Sequence, residues 1–535
     1  MAILTLMILL AGCAKIPGFD DTPLIEKGTV GYVQGFFGGV VADEPHAVLV
    51  GRDVLAAGGT ASDAAVAMYF MLSVSYPSAA GLGGGGICLI RDSRTSVVET
   101  LDFLGQPAAA GNGVPVSVPG NPRGFFALHA KYGILQWREV LRPAENAARF
   151  GVPMSRAFVK EVAAARTAFQ NSPAARVLFG ASGGQNVNEG DLLKQESLST
   201  LLASIRNRGG SVIYSGALGR QFAQAAQESG AALSYADLQS FKPIWRPAIE
   251  VLLDIKTSFY LPMPRTPTGT LAAKSLALAI DDQRFQEADD GLRAHLIAEA
   301  TQRALVDGGK GYASVAPKDK KPRYRLPAEY LEGLADSYLE DRVVRLAVPN
   351  DVQAPRQAMA GQTSFTAVDR FGGAVVCFVT MNARFGVARV ARGTGAILAA
   401  PVSAARQRDL SAGMLIMSRR DRGIFYMAGS SSGGAMAQSA LVQAALRAGV
   451  GTPDDLESAL KRKRLFRDPT RAVTYVEKGM PQKIVNALRR RGHQLQTVGP
   501  MGRVHLIYCK TGLPTKVPAC GMRSDPRGYG LATAP

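Results

Sequence analysis

The stretch AGQTSFTAVDRFGGAVVCFVTMN, Ala360–Asn382, reads as two strands and a tight turn. Thr363, Phe365 and Ala367 alternate with Ser364, Thr366 and Val368, the two-residue period of a β-strand. Phe371-Gly372-Gly373 supplies a turn, and Ala374–Val379 is a second β-rich run that pairs back as a hairpin and delivers Thr380 and Asn382 at its far end. Thr363 therefore sits at the start of a buried strand, behind the Gln362–Thr363 peptide bond. A hydroxyl so placed can act as a nucleophile once that bond is cut, because the freed α-amine serves as its base. Hydroxyl residues at strand starts are more often structural, so this stretch decides nothing alone.

Working outward, Ala47–Ala57 and Ala61–Ser73 have helical periodicity, with Thr60 or Ser62 as the cap of the second helix. Gly83–Gly86 runs straight into the apolar Ile87–Ile90 with no GK[ST] and no helix start, which predicts a close backbone passage feeding a strand and not a phosphate cradle. Ser96–Phe103 reads as the next strand, the chain from Arg138 to Val306 as mostly helical around an extended Ile249–Leu261. Strands return at Gly395–Leu398, Gly413–Met417 and Gly423–Ala428, followed by helices at Ala435–Arg447 and Pro481–Arg490. Periodicity alone gives a mixed α/β class.

Several of these segments occur in an order that resembles the γ-glutamyltransferase family: GRDVLAAGGTASDAAVA (Gly51–Ala67), GLGGGGICLI (Gly81–Ile90), VPGNPRGFFALHAKYG (Val118–Gly133) and YSGALGRQFAQAAQESGAALSYADLQSF (Tyr214–Phe241). Ala360–Asn382, GSSSGGA (Gly429–Ala435) and SDPRGYG (Ser524–Gly530) continue the match. The resemblance implies an α+β fold, the four-layer αββα sandwich of N-terminal nucleophile hydrolases. It also implies a chain that cuts itself into a large and a small fragment, here 13–362 and 363–535, intertwined in one domain.

The family's nucleophile is the first Thr of a Thr-Thr-His motif, and this chain has Gln362-Thr363-Ser364-Phe365-Thr366, without the His. With one residue deleted, Thr363 is the nucleophile and Gln362–Thr363 the autocleavage point. Without a gap, Gln362 stands in the nucleophile's place and the site is dead. Side chains alternate along a strand, so the gapped reading needs a bulge or a non-extended start to absorb the missing residue. By the same resemblance Thr380 supports the nucleophile, Asn382 and Ser411 contact substrate, and the amides of Gly433 and Gly434 hold the oxyanion. Two handles for a glutamyl zwitterion are missing. Leu104 replaces the Arg that clamps the α-carboxylate, and Ala399-Ala400-Pro401-Val402-Ser403 replaces an acidic segment that holds the α-amine.

The 535 residues are 47% hydrophobic and 19% charged, ample for a large core. The formal net charge of +18 includes Lys461–Arg464 and Arg489–Arg491, but no basic stripe with interleaved aromatics accompanies it, so these read as solvated faces and no nucleic-acid partner is expected. Met1–Leu10 is apolar but too short to span a bilayer, and it leads into Leu10-Ala11-Gly12-Cys13, which resembles a bacterial lipoprotein signal. On that resemblance 1–12 is a signal peptide, Cys13 is lipidated, and the protein faces the periplasm from a membrane of the cell envelope. In that compartment Cys509 and Cys520 can pair across a short loop, while Cys88 and Cys377, in apolar strand contexts, read as buried thiols. The five His are scattered with no metal-ligand spacing, and no metal or cofactor is expected.

Two functions follow. One is a γ-glutamyltransferase-like enzyme, self-cleaved before Thr363, acting on a small amide or peptide. The other is an uncleaved, inactive homologue kept as an envelope binding or scaffold lipoprotein.

Overall fold

The computed structural model describes residues 36–109, 111–170, 172–179, 187–254, 256–263, 270–315, 323–350, 352, 360–402, 414–419, 423–449, 455–515 and 518–535. Cys13 and the 1–12 segment, Ser411 and Ser403 lie outside the described residues. Phe36–Pro535 is one unit.

Its principal strands are β1 (Gly38–Ala42), β2 (Gly85–Arg91), β3 (Val98–Asp102), β4 (Ile244–Leu252), β5 (Thr257–Pro262), β6 (Gln362–Asp369), β7 (Ala374–Thr380), β8 (Met414–Arg419), β9 (Phe425–Ser432), β10 (Arg503–Leu513), β11 (Cys520–Arg523) and β12 (Leu531–Thr533). They run in the order β11-β10-β9-β8-β5-β4-β3-β2-β7-β6-β1-β12. The long β4 belongs to two layers: Ile244–Pro247 pairs with β3, and Ala248–Leu252 pairs with β5. The strands on either side of that crossing stack face to face around Val41, Leu89, Val376, Phe378, Ile416, Ala428 and Ile507.

Helices cover both outer faces. α1 (Pro45–Ala56), α2 (Ala61–Ser75) and α3 (Asn121–Tyr132) share a core with Phe365 and Ala367 of β6, while α4 (Leu271–Ile280), α5 (Asp290–Asp307) and α6 (Ala435–Gly449) share one with Leu415 and Leu506. This is the αββα sandwich.

Helix α2 shows why the layers close. Every one of its residues is buried, as a helix apolar on all sides requires. Thr60 and Asp63 form a reciprocal capping box at its start, and the Asp369 carboxylate accepts from the Ala61 amide, tying the helix to the β6–β7 turn. Tyr69 stacks on Phe125 at 3.9 Å, and Phe125 on Phe365 at 6.2 Å, so helix and sheet share one aromatic column.

The hairpin expected from Ala360–Asn382 is present, paired from Gln362↔Thr380 to Val368↔Ala374. The glycine run also does what its context predicts. A Cβ on Gly84 would stand 2.5 Å from the Thr380 carbonyl oxygen, and one on Gly86 2.3 Å from that of Phe378.

Three expectations are corrected. Gly395–Leu398 makes only isolated bridges, Gly83↔Leu398 and Val390↔Ile397, and does not extend into a ladder. Cys88 and Cys377 are joined in a disulfide, since β2 and β7 are antiparallel in a register that sets the two residues opposite each other, with Cα atoms 4.1 Å apart. Arg464 is buried, where its guanidinium donates to Asp525 Oδ2 (2.5 Å) and to the carbonyls of Met501 and Gly502. The expected Cys509–Cys520 disulfide is present across β10 and β11.

Candidate active site

The site lies where β1, β6, β9 and β10 end together. In β6, Phe365 and Ala367 face the helices and Val368 faces the second sheet, as does Thr366, whose Oγ1 donates to Ser430 Oγ at 3.2 Å. Gln362 belongs with Thr366 by alternation, and its side-chain oxygen accepts from the Gly434 amide at 3.3 Å. The pairing of β6 with β7 runs from Gln362 onward with no bulge. The irregularity that the gapped reading calls for is absent, and Gln362 reaches the amide expected to hold an oxyanion. Thr380 is consistent with that register: its Oγ1 donates to the Gly361 carbonyl at 3.1 Å and accepts from the Asn382 amide at 2.8 Å.

Gly433 and Gly434 turn the chain from β9 into α6 with φ of +116° and +86°, conformations that disfavour any side chain. The turn sits at a helix N-terminus, where backbone N–H groups lack partners within the helix.

Thr363 is completely buried and donates its hydroxyl proton to Asp43 Oδ2 at 2.8 Å. Asp43 directly follows β1, and the next residue, Glu44, caps α1 through the Ala47 amide, which fixes the chain on both sides of the carboxylate. Three groups from the second sheet converge on it: Ser432 Oγ on Oδ2 (3.2 Å), and Arg503 Nε (3.2 Å) and His505 Nε2 (3.1 Å) on Oδ1. Burial pushes the Asp43 carboxyl upward, but the charges of Arg503 and His505 and hydrogen bonds from His505 and Thr363 outweigh it and hold the group well below the usual carboxylate range. Arg503 has a second task, since its Nη2 donates to the Gln362 carbonyl oxygen at 3.3 Å. That carbonyl is the one that precedes Thr363.

The SDPRGYG segment holds this corner in place. Asp525 Oδ2 accepts from the Val504 amide at 2.8 Å and from Arg464, so the strand carrying Arg503 and His505 is pinned between them.

Asn382, expected to contact substrate, takes a left-handed φ of +60° and donates to the Ala400 carbonyl (2.8 Å) and Ser117 Oγ (3.3 Å). Its Oδ1 is buried with no partner among the described residues. Leu104 is half-buried among apolar residues between the sheets, and Ala399 and Ala400 are buried. The positions that the resemblance gives to the two glutamyl handles therefore carry no charged residue.

One group of metal-ligand type occurs among the described residues: His295, Glu299 and His493, all buried. Their hydrogen bonds are already internal. His295 Nδ1 meets His493 Nε2 at 2.8 Å, their outer nitrogens meet the Leu339 carbonyl and Thr474 Oγ1, and Glu299 binds Arg303 and Gln302. Burial, with the neighbouring His295 and arginine charges, pushes His493 down to about 3, so it stays a neutral partner.

The sequence model of the γ-glutamyltranspeptidase family matches residues 47–534. The chain belongs to that family. Among relatives of this γ-glutamyltranspeptidase homologue, the glutathione hydrolase proenzyme of Bacillus subtilis (strain 168) is 24% identical, over 90% of this chain and 89% of its own. The Acylase ACY 1 proenzyme of Pseudomonas sp. (strain V22) is 26% identical, over 86% and 88%. In fold, the cephalosporin acylase of Bacillus halodurans superposes with a TM-score of 0.73 at 21% identity, covering 96% of this chain and 99% of that one. The chain is thus a γ-glutamyltranspeptidase-like member of the N-terminal nucleophile hydrolases, an enzyme superfamily.

Asp43, Arg503 and His505 were not picked out by sequence reasoning. The only local signal is a carboxylate ending an apolar run, Gly38–Ala42, just before Glu44-Pro45, and nothing near it points to partners 460 or so positions away.

Proposed function

We propose that the protein is a self-cleaving amidohydrolase or acyltransferase whose nucleophile is Thr363, cut from Gln362 to give fragments 13–362 and 363–535. The observation that carries this reading is the pairing of the Thr363 hydroxyl with the Asp43 carboxylate while the preceding carbonyl accepts from Arg503. A proton acceptor on the attacking oxygen and a cation on the attacked carbonyl are the two requirements of an intramolecular acyl shift. Departure of Gln362 with the large fragment then frees the Gly434 amide for the oxyanion of an incoming amide.

The donor in this reading carries an acyl group less charged than a γ-glutamyl one, because Leu104 and Ala399-Ala400 leave a glutamyl zwitterion without opposite charges. The reading also includes export and a lipid anchor at Cys13 facing the periplasm, supported by two disulfides in one chain. Cys13→Ala should strand the precursor or release it from membranes, and unchanged fractionation would overturn the anchor.

A second reading, an uncleaved and inactive binding or scaffold homologue, is favoured by the unbroken β6 register and by Gln362 on the Gly434 amide. A denaturing gel separates the two, run under reducing conditions because Cys88–Cys377 joins the halves. Two bands, the smaller beginning at Thr363 and lost in Thr363→Ala, support the enzyme. One full-length band after long incubation supports the inactive homologue.

A further inference from the structure

The reaction that would generate the Thr363 amine needs its own catalytic groups, and the corner around Asp43 supplies them. We propose that Asp43 is the proton carrier of self-cleavage and Arg503 the group that stabilises the charge on the Gln362 carbonyl oxygen, a role pair that rests on the self-cleaving reading above.

The geometry assigns each step. Thr363 Oγ1 gives its proton to Asp43 Oδ2, 2.8 Å away, as the oxygen attacks the Gln362 carbonyl carbon. The Gln362 oxygen becomes the oxyanion, facing Arg503 Nη2. Collapse breaks the bond between the Gln362 carbon and the Thr363 nitrogen, and the proton on Asp43 passes to that nitrogen as it leaves. The product is an ester of Gln362 on Thr363 Oγ1. One water then hydrolyses it to a Gln362 carboxylate, a free Thr363 hydroxyl and a free Thr363 amine.

Arg503 couples the two halves of the step. At rest its Nε faces Asp43 Oδ1 and its Nη2 the carbonyl, so one guanidinium serves both. As charge grows on the carbonyl oxygen, the guanidinium shares itself with a second anion, and Asp43 becomes a better base when the proton must move. Ser432 keeps Asp43 in place through Oδ2, and its hydroxyl oxygen also accepts from Arg503 Nη2 at 3.4 Å. His505 holds Oδ1 from the other side, and its buried Nδ1 has no partner among the described residues. An ion pair serving stability alone would not need the scissile carbonyl as a third member.

The test is the rate at which freshly purified full-length chain converts to two fragments on a reducing gel, for wild type, Asp43→Asn, Asp43→Glu, Arg503→Gln and Arg503→Lys. Circular dichroism melts identify the variants that fold. Folded Asp43→Asn should cut at least ~100-fold more slowly, the usual contribution of a general base, and Asp43→Glu should recover part of the rate. Arg503→Gln should lose ~100-fold or more, and Arg503→Lys, which keeps the charge and loses the fork, should fall between. If Asp43→Asn does not fold, Asp43→Glu and Arg503→Lys carry the decision: cleavage slowed in both supports the proposal, and wild-type rates in both overturn it. Wild-type cleavage with folded Asp43→Asn or Arg503→Gln at an undiminished rate overturns these roles and leaves the self-cleaving reading standing. A wild type that never cuts overturns both.

Discussion

The Cys88–Cys377 disulfide can be weighed by removing it. It closes a loop with a sequence separation of 289, whereas Cys509–Cys520 closes one of 11. If a disulfide acts by restricting the unfolded chain, the separations of 289 and 11 correspond to about 5–6 and about 3 kcal/mol respectively. The comparison belongs in a Thr363→Ala background, where the chain stays whole and the long loop stays closed. Replacing Cys88 and Cys377 by Ala should then lower the free energy of unfolding by roughly 2–3 kcal/mol more than replacing Cys509 and Cys520. The measurement is urea unfolding of the two double variants beside the parent, with peptide mapping of the unreduced parent to verify both bonds. Equal losses, or alkylation of Cys88 and Cys377 without reductant, would refute the reasoning.

Acid should weaken the Asp43 corner. The folded-state pKa of Asp43 is depressed, so its contribution to stability is fully present above the unfolded carboxylate value near ~4 and is lost as pH falls below it. In the uncut Thr363→Ala background, urea midpoints with and without Asp43→Asn should therefore differ most at neutral pH and converge in acid, and a constant gap would contradict the assignment. Phe125→Ala interrupts the Tyr69–Phe125–Phe365 column and should cost ~3–5 kcal/mol, read by thermal or chemical unfolding, with Phe125→Leu losing much less. Standard γ-glutamyl anilides should be turned over weakly or not at all, and amides with a less charged acyl group better. Vigorous glutathione turnover lost in Thr363→Ala would mean that other residues have rebuilt the glutamyl pocket.

Local signals carried the fold a long way. Two-residue alternation around Phe371-Gly372-Gly373 pointed to the central hairpin, helical periodicity with a Thr60 cap pointed to α2, and the glycine run before Ile87 told of backbone packed against backbone. Each depends on neighbours in the chain, so one sequence suffices to see it. The sandwich and the site positions came from family resemblance instead, since periodicity does not say how layers stack. That resemblance singled out Thr363, Thr380, Gly433 and Gly434, which the hairpin register and the Gln362–Gly434 hydrogen bond bring to the same strand ends, and Ser411 lies outside the described residues.

What only the tertiary structure decided depends on pairing between distant segments. A cysteine in an apolar strand looks the same reduced or bonded, and Cys88 meets Cys377 only because the β2–β7 register places them opposite each other. Arg464 sits in a basic run that reads as solvated, yet the fold brings Asp525 to it and buries both. Asp43 lies 320 positions from Thr363 and 462 from His505, and its carboxylate gains meaning only where β1, β6 and β10 end side by side. Hydrogen bonds of that kind act over about 3 Å and leave no periodic trace in the chain, so composition and spacing determine the strands while the assembled sheets determine which ends of them form a site.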